Sequence, residues 1–147
     1  ELSHAVDEVM TNVRRHQADA KIEGFLIEKM AASGGQEVII GMKRDPSFGP
    51  LMMFGMGGVF VELFKDVSFR IAPLTRNETI KMLKETKAYA LLNGFRGGLK
   101  YDLNAISDNL LKLSQLAADF PHVQEIEINP LFADSEGCYS ADIKISK

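Results

Sequence analysis

The stretch Gln124-Glu125-Ile126-Glu127-Ile128-Asn129-Pro130-Leu131 decides how this chain is to be read. Side chains alternate across a β-strand. Ile126 and Ile128 therefore point one way, toward a core, and Glu125, Glu127 and Asn129 point the other. Two carboxylates and an amide collect on one face, and a proline stops the run. A merely solvated strand face has the same composition, so the partner strand carries the decision.

That partner is Tyr139-Ser140-Ala141-Asp142-Ile143-Lys144-Ile145. Its alternation puts Tyr139, Ala141, Ile143 and Ile145 on one face and Ser140, Asp142 and Lys144 on the other. Between the strands lies Asp134-Ser135-Glu136-Gly137, which has turn chemistry with glycine last. A hairpin turning about Ser135-Glu136 sets Asn129 opposite Asp142 and Glu127 opposite Lys144. Directly opposed residues have Cβ atoms about 5 Å apart. Glu127, Asn129 and Asp142 then converge as hard oxygen ligands, the kind magnesium takes when phosphate and water supply the rest. A one-residue slip would drive polar groups into the core. A bulge at Pro130 is the feature that would shift the register.

Around this hairpin the totals set bounds. The chain has 147 residues, 46% of them hydrophobic and 25% charged, which is enough for one globular domain, residues 1–147, with a real core. Net charge is −3, from 17 basic and 20 acidic residues, and no Lys/Arg stripe forms, so nucleic acid is not an expected partner. Cys138 is the single cysteine. That excludes an internal disulfide and a multi-cysteine metal site, and it fits a reducing, cytoplasmic setting. No apolar run reaches membrane-spanning length and no signal-peptide pattern opens the chain. The chain starts at Glu1 inside what reads as a helix, which is expected of a piece of a longer protein.

Upstream of the hairpin, Leu2, Val6, Val9, Met10 and Val13 are spaced as a helix over 2–15, closed by Arg14, Arg15 and His16, where positive charge suits the helix dipole. His4 and His16 read as surface histidines. Residues 22–30 read as a strand, and 36–43 as a second after the small-residue loop 31–35. Arg44-Asp45-Pro46-Ser47-Phe48-Gly49-Pro50 is a turn, and 51–54 is a third strand of an antiparallel meander. Gly55-Met56-Gly57-Gly58 breaks the pattern. A glycine-rich loop lets backbone N–H groups approach an anion, and a strand kink is the plainer alternative. Residues 59–63 and 67–74 read as extended. Thr75 and Glu78 form a capping box that starts a helix through Leu92, closed by Asn93-Gly94. Asp102 caps a further helix, with apolar Leu103, Ile106, Leu110, Leu113 and Ala117, that ends at Pro121.

A second constellation is Glu28-Lys29-Met30 with Glu37. An exposed strand edge can read an adenine through backbone groups, and a carboxylate can accept from both ribose hydroxyls. A routine hairpin with a salt-bridging glutamate has the same residues.

These pieces together resemble a known family. Glu28-Lys29-Met30, then Glu37-Val38-Ile39-Ile40-Gly41, and later Glu127-Ile128-Asn129-Pro130 with Asp142, resemble an ATP-grasp domain, and among these the ATP-grasp domain of the NDP-forming acyl-CoA synthetases, relatives of succinyl-CoA synthetase. The stretches 41–50, 54–62, Lys65-Asp66-Val67, 70–74 and Asp119-Phe120-Pro121 are similar to the same group, so the resemblance covers 22–145. It implies an α+β ATP-grasp fold: a nucleotide-binding subdomain with an antiparallel sheet flanked by helices, the first subdomain lying upstream of Glu1. It implies magnesium on Glu127, Asn129 and Asp142, adenine at Glu28, Lys29 and Met30, and ribose at Glu37. Gly55, Gly57 and Gly58 would lie near the transferred phosphoryl group. The implied activity is that of an ADP-forming acid–CoA ligase: Mg-dependent phosphoryl transfer between ATP/ADP and a phosphohistidine carried by a CoA-binding domain or α subunit. His122 does not match that histidine and reads as a loop residue. The alternative is a non-catalytic, regulatory ATP-grasp-like domain of a protein acetyltransferase. A metal triad present in full favours catalysis.

Overall fold

Alternating apolar residues build this molecule around one strand. The computed structural model describes residues 1–30, 35–57 and 66–147. It divides into a unit Glu1–Ala31 and a unit Ala32–Lys147.

In the first unit, helix α1 (Leu2–His16) forms where the 3.6-residue periodicity calls for it and ends on Arg14, Arg15 and His16. Residues 21–30, expected to contain a strand, form neither strand nor helix. A strand is held by a ladder, and no described residue pairs with them. Phe25-Leu26-Ile27 also puts apolar groups on both faces, and Leu26 (85%), Ile27 (61%) and Met30 (88%) are exposed.

The second unit is a six-stranded sheet with helices on one face. Strand β1 (Gln36–Asp45) lies between β2 (Gly49–Met56) and β4 (Glu125–Ala133), both antiparallel to it. β3 (Val67–Ile71) extends the sheet beyond β2, and β5 (Cys138–Ser140) and β6 (Ile143–Ser146) both pair with β4. The meander is present as β1–β2–β3, with its first strand made central by the late hairpin. β3 stops at Ile71, short of the extended run expected to Leu74. The second expected run, 59–63, lies outside the described residues.

One face of the sheet is the core. Val38, Ile40 and Met42 of β1 and Met52 and Phe54 of β2 are buried against the helices. α2 (Arg76–Glu85), α3 (Ala88–Leu92) and α4 (Leu103–Asp119) supply Met82, Leu83, Leu92, Ile106, Leu110 and Leu113. The capping box is formed: the Thr75 hydroxyl accepts from the Glu78 N–H, and Glu78 accepts from the Thr75 N–H at 2.7 Å. The helix expected to run through Leu92 breaks at Thr86, which is extended. It restarts because the Asp66 carboxylate accepts from the N–H groups of Lys87 and Ala88, both at 2.9 Å. Gly94 closes it with a left-handed φ of 87°. Asp102 caps α4 by accepting from the Ala105 N–H at 3.0 Å.

The register of the hairpin is the expected one. Glu127 pairs with Lys144 and Ile128 with Ile143. Leu131 pairs with Ser140, and Ala133 with Cys138. The turn is fixed by Asp134, whose carboxylate accepts from the N–H groups of Glu136 and Gly137 at 2.7 and 2.8 Å. A bulge is present, but on the other side of β4: Val38 pairs with Leu131 and Ile40 with Ile128, so Asn129 and Pro130 together oppose Ile39. This changes which residues face the core. Leu131 and Ala133 are buried, and Phe132 and its partner Tyr139 stack on the opposite face with ring centroids 5.3 Å apart. Tyr139 therefore does not share a face with Ile143 and Ile145. Those two isoleucines sit at the sheet edge and are about half exposed, 51% and 56%.

Candidate functional site

The face of the sheet away from the helices carries the polar residues that the sequence singles out. Along β1 this face carries Glu37, Ile39, Gly41 and Lys43 in turn, because Val38, Ile40 and Met42 face the core; Glu37 is half-buried and Lys43 exposed, while Ile39 is covered, at 4% exposure. Glu127 lies across β4 from Gly41, and Glu125 across from Lys43. At the bulge, the Asn129 N–H donates to the Asp142 carbonyl at 3.2 Å.

Strand pairing thus brings the backbone of Asp142 beside Asn129, whose side chain in turn meets Glu127 two residues before it. The Asn129 amide nitrogen donates to Glu127 Oε1 at 3.1 Å. That bond leaves Oδ1 as the amide atom available to a cation. Asn129 and Asp142 are exposed and Glu127 is half-buried. Lys144 stands opposite Glu127, yet the two form no ion pair. Among the described residues no three His, Cys, Asp or Glu side chains group as a metal site. The set here is two carboxylates and one amide oxygen. It is all hard oxygen and lies at the surface, which fits a small hard cation that keeps most of its ligands from water and phosphate.

Glu37 is half-buried at the other end of the same face, opposite Phe132. Gly57 lies behind it: its N–H donates to the Glu37 carbonyl at 3.0 Å, and a Cβ at Gly57 would meet Glu37 at 3.0 Å. A Cβ at Gly55 would meet Val67 at 2.8 Å. Both glycines are required by close packing of backbone, which is reason enough for their identity. Gly58 lies outside the described residues. Glu28, Lys29 and Met30 are exposed in the first unit. His122 is an exposed loop residue set edge-on to Phe120.

The stretch 41–50 shapes the fold. Arg44 donates to the carbonyls of Ala117 (2.8 Å) and Val123 (3.1 Å), satisfying the C-terminal end of α4. Asp45 accepts from the N–H groups of Ser47 and Phe48 at 2.8 and 3.0 Å, and Gly49 takes the turn at φ 79°. Beside Glu127 the sheet also holds a hollow of about 160 Å³, bordered by Gly41, Lys43, Leu51, Met53, Phe69 and Glu125. It has no motif and arises only from strand register. The signal that could have found it is the glycine on an otherwise apolar strand.

With this geometry in view, a family model for the ATP-grasp domain matches residues 1–146. The chain belongs to the ATP-grasp domain family. This ATP-grasp chain is 49% identical over 145 residues to an ADP-forming acetate–CoA ligase I of Archaeoglobus fulgidus, covering 99% of the chain and 21% of that relative. It is 43% identical over 145 residues to the β subunit of the corresponding enzyme of Pyrococcus furiosus, covering 99% of the chain and 62% of the subunit. It therefore spans about a fifth of one relative and about three fifths of the other. Among solved structures it resembles an acetyl-coenzyme A synthetase of Ca. Korarchaeum cryptofilum bound to coenzyme A and acetyl-coenzyme A, with a phosphorylated phosphohistidine segment. The TM-score is 0.85 at 45% identity, over 97% of this chain and 63% of that one. A second form of that synthetase, with coenzyme A and Mg-AMPPCP, has its phosphohistidine segment pointing towards the nucleotide-binding site. It matches with a TM-score of 0.74 at 48% identity, over 78% of this chain and 54% of that one. No helix among the described residues is long and apolar enough to cross a membrane.

Proposed function

We propose that this chain is the nucleotide-binding part of an ADP-forming acid–CoA ligase, and that it carries Mg-dependent phosphoryl transfer between ATP/ADP and a histidine borne by a CoA-binding domain or partner subunit. The observation that supports this reading is the Asn129 side chain bonded to Glu127 and its N–H bonded to the Asp142 carbonyl. The kinship with ADP-forming ligases supports it. Residues 1–147 act as one part of the nucleotide clamp, with Glu37 accepting from ribose and Glu28, Lys29 and Met30 receiving adenine. The single free Cys138 agrees with a cytoplasmic enzyme.

Magnesium held by Glu127, Asn129 Oδ1 and Asp142 would neutralise phosphate charge. The chain's own work is positioning. Glu127 fixes the Asn129 amide, and the Asn129 N–H holds the Asp142 carbonyl just ahead of β6. In the transfer, the bond between the terminal phosphorus of ATP and its bridging oxygen breaks, with the electron pair left on ADP. A P–N bond forms from the lone pair of an imidazole nitrogen. The reverse makes ATP.

The test is calorimetric titration of the parent enzyme with Mg·ADP. Asn129→Ala and Asp142→Ala, both at exposed positions, should weaken binding more than about tenfold while leaving the melting temperature in place. Unchanged affinity in both variants would remove the site.

A further inference from the structure

We propose that Lys144 is a further binding residue for the nucleotide, and that its ammonium takes a non-bridging phosphate oxygen beside the metal. The ligand class is a nucleoside polyphosphate, and the lysine meets it as a point charge on a flexible stem. This rests on the nucleotide-binding reading above.

Strand register places the residue. Lys144 of β6 stands directly across from Glu127 of β4. Directly opposed residues share a face, so the lysine lies with Glu127 on the side of the sheet away from the helices. It is exposed, and among the described residues it forms no ion pair. Glu127 is engaged instead along its own strand, where Oε1 accepts from the Asn129 amide at 3.1 Å. An exposed cross-strand ion pair is worth only about 0.2–1 kcal/mol. Little therefore holds the ammonium to Glu127, and a more highly charged anion can take it.

Charge separates Lys144 from Lys43, the other described lysine on this face. Lys43 stands opposite Glu125, about 7 Å along the strands from the Gly41–Glu127 pair. Glu125 is not among the proposed metal ligands, so its carboxylate offsets the Lys43 charge. Glu127 differs, because with Asp142 it is a proposed ligand of magnesium. Two carboxylates and a divalent cation cancel, and Lys144 is then a positive charge with no carboxylate left to offset it. A nucleoside di- or triphosphate carries more negative charge than one magnesium ion neutralises, and the excess suits a lysine beside the metal. The backbone that positions the ligands also positions this lysine. The Asn129 N–H donates to the Asp142 carbonyl at 3.2 Å, and Lys144 follows two residues later, in the ladder to β4.

The test is calorimetric titration of the parent enzyme with Mg·ADP at about 0.1 M and about 1 M salt, between which the Debye length falls from about 10 to about 3 Å. Lys144→Met keeps the apolar stem and removes the charge. At the lower salt it should weaken Mg·ADP binding about tenfold, and the gap from the unaltered enzyme should narrow at the higher salt. Lys144→Arg should restore most of the affinity, and adenosine, which has no phosphate, should bind all three proteins alike. Unchanged or tighter Mg·ADP binding in Lys144→Met overturns the proposal, because the lysine is then only a neighbour of Glu127. A loss that persists at high salt, that Lys144→Arg does not recover, or that extends to adenosine also overturns it, by making the residue structural. If Lys144→Met folds poorly, Lys144→Gln carries the same test. Asn129→Ala is the separate control. If it leaves Mg·ADP affinity intact, the nucleotide reading itself fails; if it weakens binding while Lys144→Met does not, Lys144 alone is removed from the site.

Discussion

Cys138 shows how far one residue's behaviour departs from its place in the sequence. Its thiol is pushed up to about 12 from 9.0, first by burial and then by the carboxylates of Asp102 and Asp134. Only the thiolate is nucleophilic. At pH 8 the native thiolate fraction is therefore roughly a thousandfold below that of an ordinary thiol. Iodoacetamide should label Cys138 slowly in the native chain and at the usual rate in urea; equal rates would show an open thiol. Stability follows the same difference. Between about pH 9 and 12 the unfolded thiol has lost its proton and the folded one has kept it, so stability falls as pH rises through that window. In sequence, Cys138 is only a residue after a turn glycine. The acids beside it come from the start of α4 and from the turn itself, and nothing local announces them. Arg44 is similar: it reads as a turn residue, yet its partners are Ala117 and Val123.

At the scale of elements, local chemistry was legible and non-local chemistry was not. Thr75 and Glu78, three apart before an apolar run, announce a helix start, and the bonds are present. Thr75→Ala should cost about 1 kcal/mol, measured by urea unfolding. The Glu78 carboxyl is held below its ordinary value, first by the Thr75 hydroxyl and then by the Thr75 backbone N–H. That contribution is in place above the ordinary carboxylate range and is lost as pH falls through the lowered value. The gap between Thr75→Ala and the unaltered chain should therefore narrow in acid; a gap independent of pH would mean that the cap acts without Glu78. The break at Thr86 was illegible because Asp66, which restarts the helix, lies just ahead of β3, 21 residues before Lys87. The hairpin register was legible from its turn. What alternation missed is the extra residue at Asn129–Pro130, which reverses the faces beyond it. The pairing with β5 and β6 survives, so Asn129 still meets the backbone of Asp142, while Tyr139 moves to the open face with Phe132.

At the scale of the whole molecule, the division of labour between faces follows from β1. Val38, Ile40 and Met42 hold the helices, and Glu37, Gly41 and Lys43 belong to the site face. Which strand would be central was illegible, because alternation gives each strand two faces and says nothing of its neighbours. The hairpin 125–146 could join any free edge, and it joins β1. The protection of backbone amides should report this arrangement. An amide in a strand paired on both sides opens only with the whole fold, whereas backbone outside any ladder exchanges locally. In hydrogen–deuterium exchange of the 147-residue chain, peptides covering 38–42 should exchange last, at the rate of global unfolding. Peptides covering 21–30 should exchange within the first time point, since those residues are in no strand and Leu26 and Met30 are 85% and 88% exposed. Protection over 21–30 matching that of β1 would mean that Ile22–Met30 pairs as a strand after all. Early exchange over 38–42 would mean that β1 is an edge, and the assignment of Glu37, Gly41 and Lys43 to one site face would fall with it.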